Sequence, residues 1–218
     1  MTLKADKNDW EKAQAKEFET WHQIPFCSDD WNKWWRREFN DYSFMNDKNI
    51  DSIIEVGCGP YANNMAYVLN ALNRTPSKIA LSDPLLNRYI IDSQPVKTLV
   101  NKLNATTYAC PMEELALSDN KYDCVICINV LRHVYDVEKC MDNVFNILNK
   151  DGYLIFAEDL THENEPLKTD EMHPIWFNYE MISKYLDTYK LIFGKRIDRE
   201  HGRNPSAHYE TLLFCGQK

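Results

Sequence analysis

The chain has 218 residues, 44% hydrophobic and 27% charged, with a formal net charge of −8. That length supports one domain with a small appendage, and buries roughly 70% of the unfolded surface without disulfide or metal staples. The acidity argues against a phosphate-gripping nucleic-acid binder and against an anionic membrane surface.

The first 45 or so residues hold five of the six tryptophans: Trp10, Trp21, Trp31, Trp34 and Trp35. Two helices fit there. One is capped by Asp9 and runs to about His22, and one is capped by Asp29 or Asp30 and runs to about Asn40, with Pro25 between them. Lys33, Arg36 and Arg37, diluted by Asp29, Asp30 and Glu38, read as a solvated helix face. The aromatics Trp10, Phe18, Trp21, Trp31, Trp34, Trp35 and Phe39 pack this appendage onto the core, roof the active site as a lid, or do both. Residues 1–45 are thus set apart as a helical lid, and 46–218 as the main domain.

From Asp51 the pattern changes. Strands are predicted at 52–56, 78–82, 106–109, 122–129 and 153–157, with helices at 61–72, from 84 to about 103, at 137–148 and at 178–186. On 137–148, Val137, Met141, Val144, Phe145 and Leu148 form the apolar face. Two last strands, 189–197 and 208–215, are joined by a loop with Gly202 and Pro205. Alternating strands and helices imply a parallel sheet covered on both faces. Two strands without a helix between them imply an antiparallel hairpin. The expected fold is α/β, a doubly wound, mostly parallel, seven-stranded sheet with a C-terminal antiparallel hairpin and ligands at the strands' carboxyl ends.

Of the seven cysteines, Cys124 and Cys127 form a C-x-x-C. They lie in an apolar strand and read as small buried hydrophobes, so no metal site is expected. No apolar run approaches the ~20 residues of a membrane span, and the polar start, Met1 to Lys7, leads into no signal core. A cytoplasmic protein with neither nucleic acid nor membrane as partner is expected.

The segment Glu55-Val56-Gly57-Cys58-Gly59-Pro60-Tyr61-Ala62 closes the first strand and opens the first helix. Gly57 permits a tight turn, Gly59 lets a ligand approach the backbone, and the following helix N-terminus favours an anion. Glu55, two residues before Gly57, repels a pyrophosphate but suits the ammonium of a methionine moiety. The turn resembles motif I of class I S-adenosylmethionine-dependent methyltransferases, an acidic residue, any residue, then Gly-x-Gly. The likeness extends over Asp51 to Lys218, with Pro60-Tyr61 where the family often has Thr-Gly or a small residue.

The resemblance implies S-adenosylmethionine as cofactor and a Rossmann-like methyltransferase fold. It assigns Asp83, before Pro84, to the ribose diol. It places Pro111 and Met112 at the adenine, where relatives often read Gly-Asp-Ala-Glu-Glu-Leu and this chain keeps only Glu113-Glu114-Leu115. It puts Asn129 beside the transferring methyl group, so the cofactor set is Glu55, Gly57, Cys58, Gly59, Asp83, Pro84, Pro111, Met112 and Asn129. His133 and His173 resemble histidines of acceptor-side loops in relatives, and His162 follows the fifth strand. These three are the candidate bases, since a histidine near its reference pKa suits proton removal at neutral pH. Asp159 and Glu163 are alternatives. No Asn-Pro-Pro-Tyr or Asp-Pro-Pro-Tyr follows the fourth strand, which argues against methylation of DNA base amino groups.

The expected activity is methyl transfer to a hydroxyl or amine of a small molecule, such as a sugar or nucleotide-sugar. The alternatives are a protein or RNA methyltransferase, a nicotinamide-dependent oxidoreductase on a similar sheet, and a relative that binds the cofactor without turnover. Oligomeric state and acceptor identity are not encoded in any motif.

Overall fold

The computed structural model describes residues 3–23, 30–115, 121–162, 164–165, 169–202 and 209–218. Seven strands form one sheet: β1 (Ser52–Val56), β2 (Lys78–Ser82), β3 (Thr106–Tyr108), β4 (Tyr122–Ile128), β5 (Leu148–Thr161), β6 (Lys190–Ile197) and β7 (Tyr209–Gln217), in the order β3-β2-β1-β4-β5-β7-β6. The pairs among β1 to β5 are parallel, and β7 runs antiparallel to both β5 and β6. The expected fold class is the one observed.

The helices are α1 (Lys7–Gln23), α2 (Asp30–Glu38), α3 (Asn63–Ala71), α4 (Leu86–Asp92), α5 (Gln94–Leu103), α6 (Val137–Ile147) and α7 (Tyr179–Leu186). Their boundaries follow local chemistry. α1 starts two residues before Asp9: Asp6, not Asp9, accepts the Asn8 N–H at 2.8 Å, while Asp9 pairs with Lys12. The single helix expected to Leu103 is two, because Ser93 is extended and Pro95 can enter only a first turn. α3 starts at Asn63 rather than Tyr61, since Ala62 is left-handed (φ 49°) and the chain makes one more turn after Gly59. Asp136 and Asn178 cap α6 and α7 by accepting the N–H three residues on.

Alternation along each strand sends side chains to two packed layers. Ile54, Val125 and Cys127 meet α6 and α7, whereas Ile53, Cys124 and Ile126 meet α3, α4 and the Asn40–Met45 turn. Cys124 and Cys127, an odd number of residues apart, therefore lie on opposite faces of β4, and both are fully buried. Phe145 is 39% exposed, off the predicted face of α6, which is instead Val137, Cys140, Met141, Val144 and Ile147. β5 runs four residues past its predicted end because β7 pairs with it from Tyr153↔Gln217 to Thr161↔Tyr209, satisfying the backbone beneath the polar residues Glu158, Asp159 and Thr161.

In the N-terminal segment, Trp35 and Phe39 are buried in the second layer, with Phe18, Trp21 and Trp34 packed against it. The expectations for Pro25, Asp29, Glu163, Pro205, the Asp30 cap and the Trp31 side chain fall outside the described residues. Among the described residues no helix is long and apolar enough to cross a membrane, and no group of three metal-binding side chains occurs.

Candidate active site

The order of strands reverses between β1 and β4, and such a switch point opens a crevice at the strands' carboxyl ends. A cavity lies there. Its walls include Gly57, Cys58, Gly59, Asp83, Pro84, Pro111, Met112, Asn129 and His133, and one face of α1: Trp10, Gln14, Glu17 and Trp21.

The two glycines of the β1 turn do different jobs. Both have positive φ, +62° at Gly57 and +58° at Gly59. A Cβ on Gly57 would sit 2.5 Å from Val130 Cγ2, so this position is required by packing. A Cβ on Gly59 would meet nothing within 4 Å, so its backbone borders open space.

Asp83 closes β2 at the cavity wall and is 8% exposed. One carboxylate oxygen accepts the Gly59 N–H at 3.0 Å and the other the Leu85 N–H at 2.8 Å, so the residue ties the glycine turn to the start of α4. Burial raises its carboxyl to about 6, against those two N–H groups. Each oxygen retains acceptor capacity beyond one N–H, which suits a vicinal diol. The open Gly59 backbone and this carboxylate fit the methionyl and ribose parts of S-adenosylmethionine.

Glu55 is placed differently from the other cofactor candidates. It is 2% exposed, is not among the described residues lining the cavity, and its Oε2 accepts the Met65 N–H at 2.9 Å. The first turn of α3 has unpaired N–H groups and a positive end, and the carboxylate serves these. Met112 is 5% exposed at the cavity, and its carbonyl accepts from Asn143. Glu113 holds the turn before α6, accepting the Tyr135 and Asp136 N–H groups.

Of the three histidines, the structure brings two together. The rings of His133 and His173 lie 4.5 Å apart. His133 follows β4 in the turn Leu131–His133. Its Nδ1 is 3.1 Å from Glu17 Oε2, an ion-pair distance without the alignment of a hydrogen bond. Burial lowers the His133 pKa, but the Glu17 carboxylate outweighs it and holds the group above its ordinary value. Glu17, half-buried, is desolvated, but the facing His133 outweighs this and holds the carboxyl below its ordinary value. His173 Nδ1 lies 2.8 Å from both carboxylate oxygens of Asp170, and burial holds this imidazole below its ordinary value despite that partner.

His162 belongs elsewhere. Its side chain is 62% exposed, 4.0 Å from Glu210, in a separate surface hollow beside Arg196 and Tyr179. β5 continues four residues past Ala157 and carries it away from the cavity. Asp159 is turned into the sheet, 3% exposed, and accepts from Thr211 Oγ1 at 2.7 Å.

Two residues near the site were missed by sequence reasoning. Glu158 is fully buried, and its Oε1 accepts the Val130 and Leu131 N–H groups at 2.6 Å each, fixing the turn that carries His133. Burial raises its carboxyl to about 7. Glu17 was hidden in an unremarkable helix. The signal for it was the spacing Trp10, Gln14, Glu17, Trp21, a single helical face that mixes aromatic and polar residues.

Comparison with known proteins gives the family. The model of the methyltransferase domain family matches residues 12–194, and the chain belongs to that family, an S-adenosylmethionine-dependent class I methyltransferase domain. It is 28% identical over 163 residues to a tRNA U34 carboxymethyltransferase of Campylobacter jejuni, covering 70% of this chain and 52% of that one. The chain thus spans about half the length of the curated relatives it matches. Among solved structures, the Burkholderia thailandensis 1,6-didemethyltoxoflavin-N1-methyltransferase with bound S-adenosylhomocysteine matches with a TM-score of 0.66 at 13% identity, over 98% of this chain and 91% of that one. The N-methyltransferase NodS of Bradyrhizobium japonicum, in complex with S-adenosylhomocysteine, matches with a TM-score of 0.61 at 14% identity, over 97% and 98%. At such identities these two matches speak for the fold.

Proposed function

We propose that this chain transfers a methyl group from S-adenosylmethionine to a hydroxyl or amine of a small molecule. The observation that carries the reading is that one cavity is lined both by the Gly57–Gly59 turn with Asp83 and by the α1 face with His133. The cofactor supplies the electrophilic methyl group. Gly57 and Gly59 shape the turn that receives the methionyl part, Asp83 accepts the ribose hydroxyls, Met112 packs on the adenine, and Asn129 stands beside the methyl group. His133 takes the acceptor's proton. The α1 face, Trp10 and Trp21 included, acts as a lid that excludes water.

Small acceptors are favoured by the wall chemistry. Glu17, Asp83 and Glu113 all line the cavity, and walls carrying carboxylates favour a neutral or cationic acceptor over one bearing phosphate. A sugar or amine fits better than a nucleotide-sugar or RNA. A tRNA acceptor is the second reading, favoured by the 28% identity to the carboxymethyltransferases. Calorimetry with S-adenosylhomocysteine and with NAD, followed by transfer assays on sugars, hydroxylated metabolites, amines and a tRNA transcript, tests the proposal. Binding of S-adenosylhomocysteine and turnover on a phosphate-free acceptor are expected. Binding of NAD alone would overturn the cofactor reading, and transfer to tRNA alone would replace the acceptor class.

A further inference from the structure

We propose that Glu17 of α1 is a positioning residue that orients His133 through Nδ1 and leaves Nε2 as the atom that takes the acceptor's proton. The inference rests on the methyl-transfer reading above and assigns a part of its machinery to the N-terminal helix.

The geometry is that of a grip on a single residue. Trp10 Nε1 and Gln14 Nε2 both donate to the His133 carbonyl, at 2.8 and 3.1 Å. One helical turn further, Glu17 Oε2 faces the His133 ring at 3.1 Å. Positions 10, 14 and 17 share one face of a helix. Trp21 Nε1 donates to the other Glu17 oxygen at 2.7 Å, so the carboxylate itself is held in place. A carboxylate with only 17% of its side chain exposed is costly unless paired, and packing alone would be served by an apolar residue.

Other charged groups also face this imidazole. His173, with Asp170 behind it, packs on the ring from the segment before α7. Arg132 adjoins it in the turn, Glu158 approaches from β5, and Asp83 stands across the cavity. Burial and Arg132 disfavour the imidazolium, while Glu17 and then Glu158 favour it, Glu17 most. The carboxylate 3.1 Å from Nδ1 stabilises the imidazolium that forms when the proton arrives during the reaction. In the step, a lone pair on the acceptor's oxygen or nitrogen forms the bond to the methyl carbon. The carbon–sulfur bond breaks with its electron pair going to sulfur, the acceptor's proton passes to His133 Nε2, and Glu17 stays ionised.

Glu17→Gln keeps the volume and an acceptor for Trp21 but removes the charge. Three results are expected: the acidic limb of the kcat–pH profile moves down by about half a pH unit or more, the plateau of kcat falls roughly tenfold or more, and S-adenosylhomocysteine affinity stays within about threefold. A limb that stays in place would show that Glu17 does not act through His133. The ring carbons of isotope-labelled His133, titrated by NMR without any acceptor, give a second readout. Their midpoint is expected above the usual histidine value in the wild type and lower in Glu17→Gln. That titration decides the Glu17 role even if no acceptor turns over, which would count against the methyl-transfer reading instead. If Glu17→Gln does not fold, the wild type still decides: the Glu17 carboxyl carbon must register the His133 titration, and independent midpoints overturn the proposal.

Discussion

Asp83→Asn separates the ribose-binding role of this residue from its structural one by means of pH. The carboxylate accepts two backbone N–H groups, from Gly59 and Leu85. An Asn side chain offers one oxygen, so one of those N–H groups must face an NH₂. Leaving one buried donor unpaired costs about 1–3 kcal/mol, and a comparable loss at the ligand weakens S-adenosylhomocysteine about 5- to 150-fold. The pH dependence is more specific. Burial raises the Asp83 carboxyl to about 6, above the 3.8 of an exposed Asp. The folded chain therefore binds more protons than the unfolded chain between about pH 4 and 6, and this group's contribution to stability declines as pH rises through that window. Ligand binding has the opposite sign. If the diol is held by the ionised form, only about a tenth of the free protein is competent at pH 5, and affinity rises about tenfold between pH 5 and 7. Calorimetry with S-adenosylhomocysteine at pH 5, 6, 7 and 8 measures this, with thermal melts as the control for folding. The rise is expected to vanish in Asp83→Asn. An affinity flat with pH in the wild type, or an equal rise in the variant, would refute the assignment.

The two glycines of the β1 turn should part company. Gly57→Ala drives a methyl into Val130 and adds the left-handed penalty, together about 2–5 kcal/mol and visible as a large fall in Tm, whereas Gly59→Ala is expected to cost only about 1–2 kcal/mol in stability yet lower S-adenosylhomocysteine affinity. Glu158→Gln keeps one oxygen for both N–H groups and, like the protonated carboxyl, is neutral, so its stability is expected within about 1 kcal/mol of the wild type at pH 5 in urea titrations. The wild-type carboxyl, raised to about 7, contributes stability at low pH that is lost as pH rises from about 4.5 to 7, so the variant should gain on the wild type by pH 8; a loss relative to the wild type contradicts the sign. His162→Ala, on an exposed side chain outside the cavity, is expected to leave transfer rates within about twofold in a steady-state assay on whichever acceptor turns over.

The family likeness was legible because its signals are local. The turn Glu55-Val56-Gly57-Cys58-Gly59 ends an apolar strand with residues that tolerate positive φ, and Asp83 ends the next strand in the same register. Alternation of strand and helix periods, ending in two strands with no helix between them, was enough to give a mostly parallel sheet with an antiparallel hairpin, while the order β3-β2-β1-β4-β5-β7-β6 came from the tertiary structure. The starts of α6 and α7 were read from period to within one residue, at 137 and 178, and the structure adds the caps Asp136 and Asn178 that fix them.

What the linear chain left open depends on contacts between distant residues. Whether β5 stops at Ala157 or continues was decided by β7, whose backbone satisfies the groups under Glu158 to Thr161 and so carries His162 out of the cavity. The sequence suggested a cofactor ammonium as partner for Glu55, and only the approach of α3 adds that its carboxylate accepts the Met65 N–H. The pairing of Glu17 with His133 spans more than a hundred residues and arises only when α1 packs beside the β4 turn. Composition and period report what each segment is suited to form. The environment that tunes a carboxylate or an imidazole is built from elements remote in the chain, and burial and charge at the site come into being only with tertiary packing.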